Sequence, residues 1–161
     1  MFDKLIAQLK RHEGYSKMPY RCTAGKLTIG YGKNVDDAPL TKEELALINA
    51  KSLAEVLENG ISEPDAEKLL IREVQKIYAD LGKRLPWFAD LDETRQAVLV
   101  NMAFNLGMAG LMSFKNTLAM IKAGDYKQAA ENMLKSKWAE QTGRRARELA
   151  EQMESGKWKQ N

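Results

Sequence analysis

Only one stretch of this 161-residue chain alternates as a β-strand must. Between residues 17 and 36, Tyr20, Cys22, Leu27, Ile29 and Tyr31 are separated by polar or small residues, and Ala24-Gly25 marks a turn. Everywhere else the apolar residues recur at helical spacing, so the chain can build one small antiparallel sheet and must bury the rest of its apolar surface with helices. Phe2, Leu5, Ile6 and Leu9 form the first helical stripe, and Gly14 stops it. Thr41-Lys42-Glu43-Glu44 is a capping-box pattern that predicts a helix to about Glu58, ended by Asn59-Gly60. Ser62-Glu63-Pro64-Asp65 opens a longer one, with Pro64 in its first turn and Leu69, Leu70, Val74, Ile77 and Leu81 as its stripe. Gly82 and Pro86 close it. Asp92 caps a run through Val98, Leu99 and Met102 that Gly107 stops. Further helices are predicted over 115–123, 126–135 and 143–155, with Thr142 as N-cap of the last and Gly124 and Gly156 at helix ends.

The fold class is α+β and mostly helical. The predicted organisation is a small β-containing lobe over about 14–62, a connecting helix over about 63–82, and a larger helical lobe made of 1–13 plus 83–161. With 44% apolar residues the chain has enough material for a core without covalent staples. The eight methionines sit mostly on helical stripes and read as core filling. One cysteine, Cys22, excludes an internal disulfide and suits a reducing compartment. One histidine, His12, leaves too few ligands for a protein-built zinc site, so no metal or cofactor is expected. No segment approaches the roughly 20 apolar residues that span a bilayer. The opening MFDKLIAQLKRH carries charges and no continuous apolar run, so a signal peptide is not expected. Accumulation in the cytoplasm follows, with export left to another agent.

The net charge of +3 is concentrated at one end. From Lys135 to Asn161 seven basic residues face four acidic ones, so this segment carries the whole excess. That suits an anionic polymer or lipid surface, and equally a solvated helix face. No aromatic-basic stripe or nucleic-acid motif accompanies it, so no nucleic-acid partner is expected.

The chemistry gathers around the strand region. Glu13 ends the first helix, Cys22 lies eight intervening residues further on, and Thr28 five more beyond that, followed at once by Ile29-Gly30-Tyr31-Gly32. A carboxyl group at a helix C-terminus sits in a negative potential that helps keep its proton on. A thiol and a hydroxyl on a glycine-broken hairpin can hold a water. An acid on one side of a glycosidic bond and a held water on the other are the two requirements of its hydrolysis.

This spacing of Glu, eight residues, Asp or Cys, five residues, Thr resembles the phage-type lysozymes of glycoside hydrolase family 24, the T-even and lambdoid enzymes among them. The likeness runs from Glu13 to Trp158, with NMAF-N-G, S-F-x-N, A-A-x-N and K-S-x-W-x-x-Q-T as further matches. The resemblance implies a lysozyme that cleaves the β-1,4 bond between N-acetylmuramic acid and N-acetylglucosamine in peptidoglycan, inverting at the anomeric carbon. It implies Glu13 as general acid, with Cys22 and Thr28 positioning the attacking water. Cys22 stands where the T-even enzyme has aspartate, and a thiol is a poorer base near pH 7. The resemblance also implies Arg145 as partner of the catalytic Glu, and Phe104, Asn105, Asn132, Lys137 and Gln141 as substrate contacts. Trp138 is read as core, and Lys33 with Glu73 as a salt-bridging pair. The implied setting is a monomeric endolysin that a holin releases from the host cytoplasm to the cell wall. Its basic C-terminal helix could touch outer-membrane lipid. Two other readings stand beside it: a cell-wall amidase using Cys22 and His12, and a glycan-binding module without turnover.

Overall fold

A computed structural model describes residues 2–159. The described residues form α1 (Phe2–Glu13), β1 (Tyr15–Arg21), β2 (Leu27–Tyr31), β3 (Lys33–Asn34), α2 (Lys42–Leu47), α3 (Leu53–Asn59), α4 (Glu63–Arg84), a 3-10 turn (Phe88–Asp90), α5 (Glu93–Leu106), α6 (Met108–Met112), α7 (Lys115–Lys122), α8 (Tyr126–Leu134), α9 (Lys137–Thr142) and α10 (Arg144–Ser155). This is the α+β, mostly helical class, with one three-stranded antiparallel sheet in the order β1-β2-β3. The chain divides into two compact units, Phe2–Gln75 and the residues from Lys76 onward, and α4 carries the chain from one into the other. The final two residues of the basic C-terminal segment lie outside the described residues.

In the first unit, β1 and β2 form the hairpin, with Tyr20 opposite Thr28 and Tyr15 opposite Tyr31. A bulge interrupts the register between Ser16 and Tyr20. β2 is the central strand, and four of its five residues are buried. The helix predicted from Thr41 to about Glu58 is instead two helices. Asn49 takes a left-handed φ of 55°, which asparagine tolerates, and the Ser52 hydroxyl accepts the Glu55 N–H to start a new helix. The capping box at Thr41 is present: Thr41 Oγ1 accepts the Glu44 N–H at 3.1 Å and Glu44 Oε1 accepts the Thr41 N–H at 3.0 Å. The other Glu44 oxygen takes the Lys33 ammonium at 2.8 Å, while Glu73 stands at 3.7 Å from the same nitrogen. The expected Lys33–Glu73 pair is therefore the longer arm of a three-membered group centred on Lys33, whose shorter arm goes to a Glu44 side chain only 6% exposed.

In the second unit, α5, α7, α8 and α10 supply the core, with Val98, Leu99, Met102, Ile121, Met133, Leu149 and Met153 buried. Met18, by contrast, is exposed on β1. Buried Ala129, Ala130, Ala146 and Ala150 let α8 and α10 approach closely. Asp92 caps α5 as expected. Gly82 does not end α4, which continues to Arg84. Thr142 does not cap α10: it ends α9, its hydroxyl donates to the Trp138 carbonyl at 2.9 Å, and Gly143 at φ 52° turns the chain instead. Arg95 secures the end of α10, donating from Nε to the Met153 carbonyl at 2.6 Å and from Nη2 to the Glu154 carbonyl at 2.9 Å. Its guanidinium lies 3.6 Å from the Tyr126 ring centre, and Nη1 pairs with Asp92 at 3.0 Å.

Burial pushes the Glu44 carboxyl up, but the Lys33 ammonium and the Thr41 backbone N–H outweigh it and hold the group below its ordinary value. A carboxyl lowered in the fold stabilises fully above its unfolded value of about 4.3, and that stabilisation drains as the pH falls through the folded value. Glu44→Gln is expected to cost about 1–3 kcal/mol at pH 7. Its melting-temperature deficit should shrink between pH 7 and pH 3; an equal deficit at both would show that the charge contributes nothing.

Candidate active site

The acid, the thiol and the hydroxyl all belong to the first unit. Glu13 is the last residue of α1, and the Gly14 N–H closes that helix on the Lys10 carbonyl at 2.9 Å. Gly14 then turns the chain into β1 at φ 70°. Lys10, three residues before the acid, ties the helix end down. Its ammonium reaches Glu63 at 3.4 Å and Glu67 at 3.2 Å on α4 and lies over the Tyr31 ring of β2. The Tyr31 hydroxyl donates to the same Glu63. Burial, then that bond to Glu63, pushes the Tyr31 phenol up to about 12, so it stays a donor.

The half-buried Glu13 carboxyl is seated against Gly32. A Cβ on Gly32 would lie 2.6 Å from Glu13 Oε2, and the backbone there has φ 66°. Gly32 is therefore the floor on which the acid rests, and no larger residue fits without moving it.

Cys22 and Thr28 meet at the far end of the hairpin. The turn is closed by the Cys22 N–H on the Lys26 carbonyl at 3.0 Å and the Gly25 N–H on the Cys22 carbonyl at 2.8 Å. Asp36 pins it from outside, accepting the Leu27 N–H at 2.7 Å and pairing with Arg21 at 2.8 Å. The Lys26 and Ala24 backbone N–H groups hold the Cys22 thiol below its ordinary value against the opposing effect of desolvation. Thr28 is 4% exposed and donates its proton to the Lys26 carbonyl at 2.9 Å, leaving hydroxyl lone pairs to accept. Among the described residues no cluster of three His, Cys, Asp or Glu side chains could hold a metal, and no helix is long and apolar enough to cross a membrane.

The other residues predicted for the site belong to the second unit. The Arg145 guanidinium forks onto Asn101 Oδ1, from Nε at 3.1 Å and Nη2 at 2.8 Å. Asn105 is exposed and accepts the Trp138 indole N–H at 2.7 Å, while Trp138 itself is buried, as its core reading requires. Asn132 donates to Thr117 Oγ1 at 2.7 Å, in an open cavity of about 490 Å³ lined by Phe114, Asn116 and Ser136 among others. Lys137 and Gln141 are exposed on α9, and Phe104 is half-buried on α5. Sequence reasoning missed the seat at Gly32, the pinning Asp36 and the anchor Lys10. Only the glycine carried a signal, as the close of T-I-G-Y-G.

Gly32→Ala is expected to lower stability by about 1–2 kcal/mol through left-handed backbone strain, with the displaced carboxyl adding to it. Urea unfolding checks this; an unchanged midpoint would mean that the backbone and Glu13 yield freely.

The chain is similar to known proteins over most of its length. The family model described as phage lysozyme matches residues 10–155. The chain is 31% identical over 151 residues to the pre-baseplate central spike protein Gp5 of Enterobacteria phage T4, covering 88% of this chain but only 26% of that protein. It is 26% identical to a probable T4-type lysozyme 2 of Dictyostelium discoideum, over 99% of both chains. It is 24% identical to an endolysin of Acyrthosiphon pisum secondary endosymbiont phage 1, over 89% of this chain and 84% of that one. A match over most of its length, joined to an α+β fold with one small antiparallel sheet, places this chain in the phage lysozyme family.

Proposed function

We propose that the chain is an endolysin that hydrolyses the β-1,4 bond between N-acetylmuramic acid and N-acetylglucosamine in peptidoglycan. The observation that carries this reading is the placement of the Glu13 carboxyl, the Cys22 thiol and the Thr28 hydroxyl on a single helix-and-hairpin element, the carboxyl against Gly32 and the thiol at the turn closed between Cys22 and Lys26. Glu13 gives its proton to the leaving glycosidic oxygen as the bond to the anomeric carbon breaks. Cys22 and Thr28 hold a water on the opposite face of the sugar. The water oxygen bonds to the anomeric carbon, and its proton passes to the Cys22 sulfur when that group is a thiolate. Attack opposite the leaving group inverts the configuration.

Arg145, Phe104, Asn105, Asn132, Lys137 and Gln141 are assigned to the acid and the glycan on the family pattern, since amides, a cation and an aromatic face suit an acetylated, acidic polysaccharide. The working form is a monomer that reaches the wall from the host cytoplasm through a holin-dependent breach. The basic residues of α10 offer anionic lipid only an electrostatic contact, because its apolar face, with Leu149 and Met153, is buried.

The test is loss of turbidity of isolated cell walls together with anomer analysis of the released fragments. Glu13→Gln is expected to reduce turnover by about 100-fold or more. The first product of the wild type should have the inverted anomer, and net retention would assign Cys22 as nucleophile instead. Cys22→Ala should lose activity substantially. Cys22→Asp should keep or raise it and move the ascending limb of the pH–rate profile from the thiol range toward the carboxylate range. An inactive Cys22→Asp would point to thiol chemistry such as an amidase, and bound glycan without turnover would leave only the binding module.

A further inference from the structure

Three tyrosines lie on the hairpin of the first unit, and two have committed their hydroxyls. Tyr15 donates to the Ile61 carbonyl and Tyr31 to Glu63. Among the described residues, no hydrogen bond engages the hydroxyl of the third, Tyr20. Tyr20 is 38% exposed on β1, an edge strand. Its register partner is Thr28, so the two side chains leave the same face of the sheet with Cβ atoms roughly 5 Å apart. Cys22 follows two residues later along the same strand direction. Burial of the phenol, then the nearby Glu13 carboxylate and Cys22 thiolate, disfavours a negative charge on Tyr20 and keeps its proton on. The residue therefore presents a neutral O–H donor and a partly open aromatic ring, and the charges of both proposed reacting groups reach it.

We infer that Tyr20 is a substrate-contacting residue of this site, its phenol donating a hydrogen bond to the sugar whose glycosidic bond is cut and its ring packing on that sugar. This rests on the lysozyme reading above and adds a residue to it. An aromatic ring with an uncommitted polar tip suits a pyranose, which offers hydroxyl and acetamido oxygens at its rim and C–H groups on its faces. A phenol bound elsewhere in the fold would be unavailable for this, as those of Tyr15 and Tyr31 are. A purely structural tyrosine would bury its ring and satisfy its hydroxyl.

The experiment compares wild type and Tyr20→Phe on purified peptidoglycan, with thermal unfolding of both. Removing a hydroxyl that bonds nothing in the protein should leave Tm unchanged and lower kcat/KM by about 10-fold, the ratio that one such hydrogen bond supports. A loss below about three-fold overturns the assignment. So does a loss accompanied by a lowered Tm, since that would give the hydroxyl a structural partner. In the Glu13→Gln background, Tyr20→Phe should also weaken binding of a chitin oligosaccharide, and equal affinities would likewise count against it. An inactive wild type overturns the parent reading, and Tyr20 with it. An active wild type matched by Tyr20→Phe overturns Tyr20 alone.

Discussion

Lys10 is the point from which the first unit is organised. Its ammonium joins two carboxylates of α4 and lies over the Tyr31 ring of β2, so three elements share one cation. Each contact alone is a partly exposed ion pair or cation–π contact of the sort worth at most about 1 kcal/mol. Their combined value is geometric. They fix the last turn of α1 against the central strand, and the residue that ends this turn is Glu13. The acid is thus fixed in two ways: by the anchored helix behind it and by the side-chain-free surface of Gly32 beneath it. The hairpin turn is fixed independently through Asp36, which accepts the first N–H of β2 and pairs with Arg21 at the end of β1. Acid and thiol are held by different devices on one small sheet.

At the position proposed to hold the water, a thiol in place of a carboxylate changes what the backbone must supply. A carboxylate brings its own charge, whereas a thiol near neutral pH is mostly uncharged and needs donors to favour the anion. The turn after β1 provides them in the N–H groups of Ala24 and Lys26, with Gly25 in a left-handed conformation at φ 78° making the turn tight enough. Under the proposed role, hydrogen bonding from the loop stands in for the charge that the side chain lacks.

The elements that could be read from the sequence are those with local causes. Helix α1, the turn at Ala24-Gly25, the Asp92 cap and the Gly156 stop all follow from residues a few positions apart. The break between α2 and α3 also had a local cause, Asn49 and the Ser52 cap, but the helical spacing of apolar residues runs across it and concealed it. Helices α6 and α9 have five and six residues, too few for a period to register. Lys33 was visible as a charge, yet its choice of Glu44 over Glu73 is decided by burial and distance, which exist only after folding. The site divides in the same way. Spacing singled out Glu13, Cys22 and Thr28, because a motif is a local pattern. The seating of Glu13 on Gly32 and the uncommitted hydroxyl of Tyr20 depend on which strands pair, and at what register.

The end of α10 carries a different lesson. A Cβ at Gly156 would fall 2.8 Å from Arg95 Nη1, in the volume the guanidinium occupies while it holds the Met153 and Glu154 carbonyls. The two positions, 61 residues apart in sequence, compete for one space. Their tolerance to change is consequently joint: a side chain at 156 is strained by the φ of 70° in itself, and it must in addition displace the guanidinium that holds the final helical turn. Variation at these sites should be coupled, and a double-mutant cycle across them should depart from additivity.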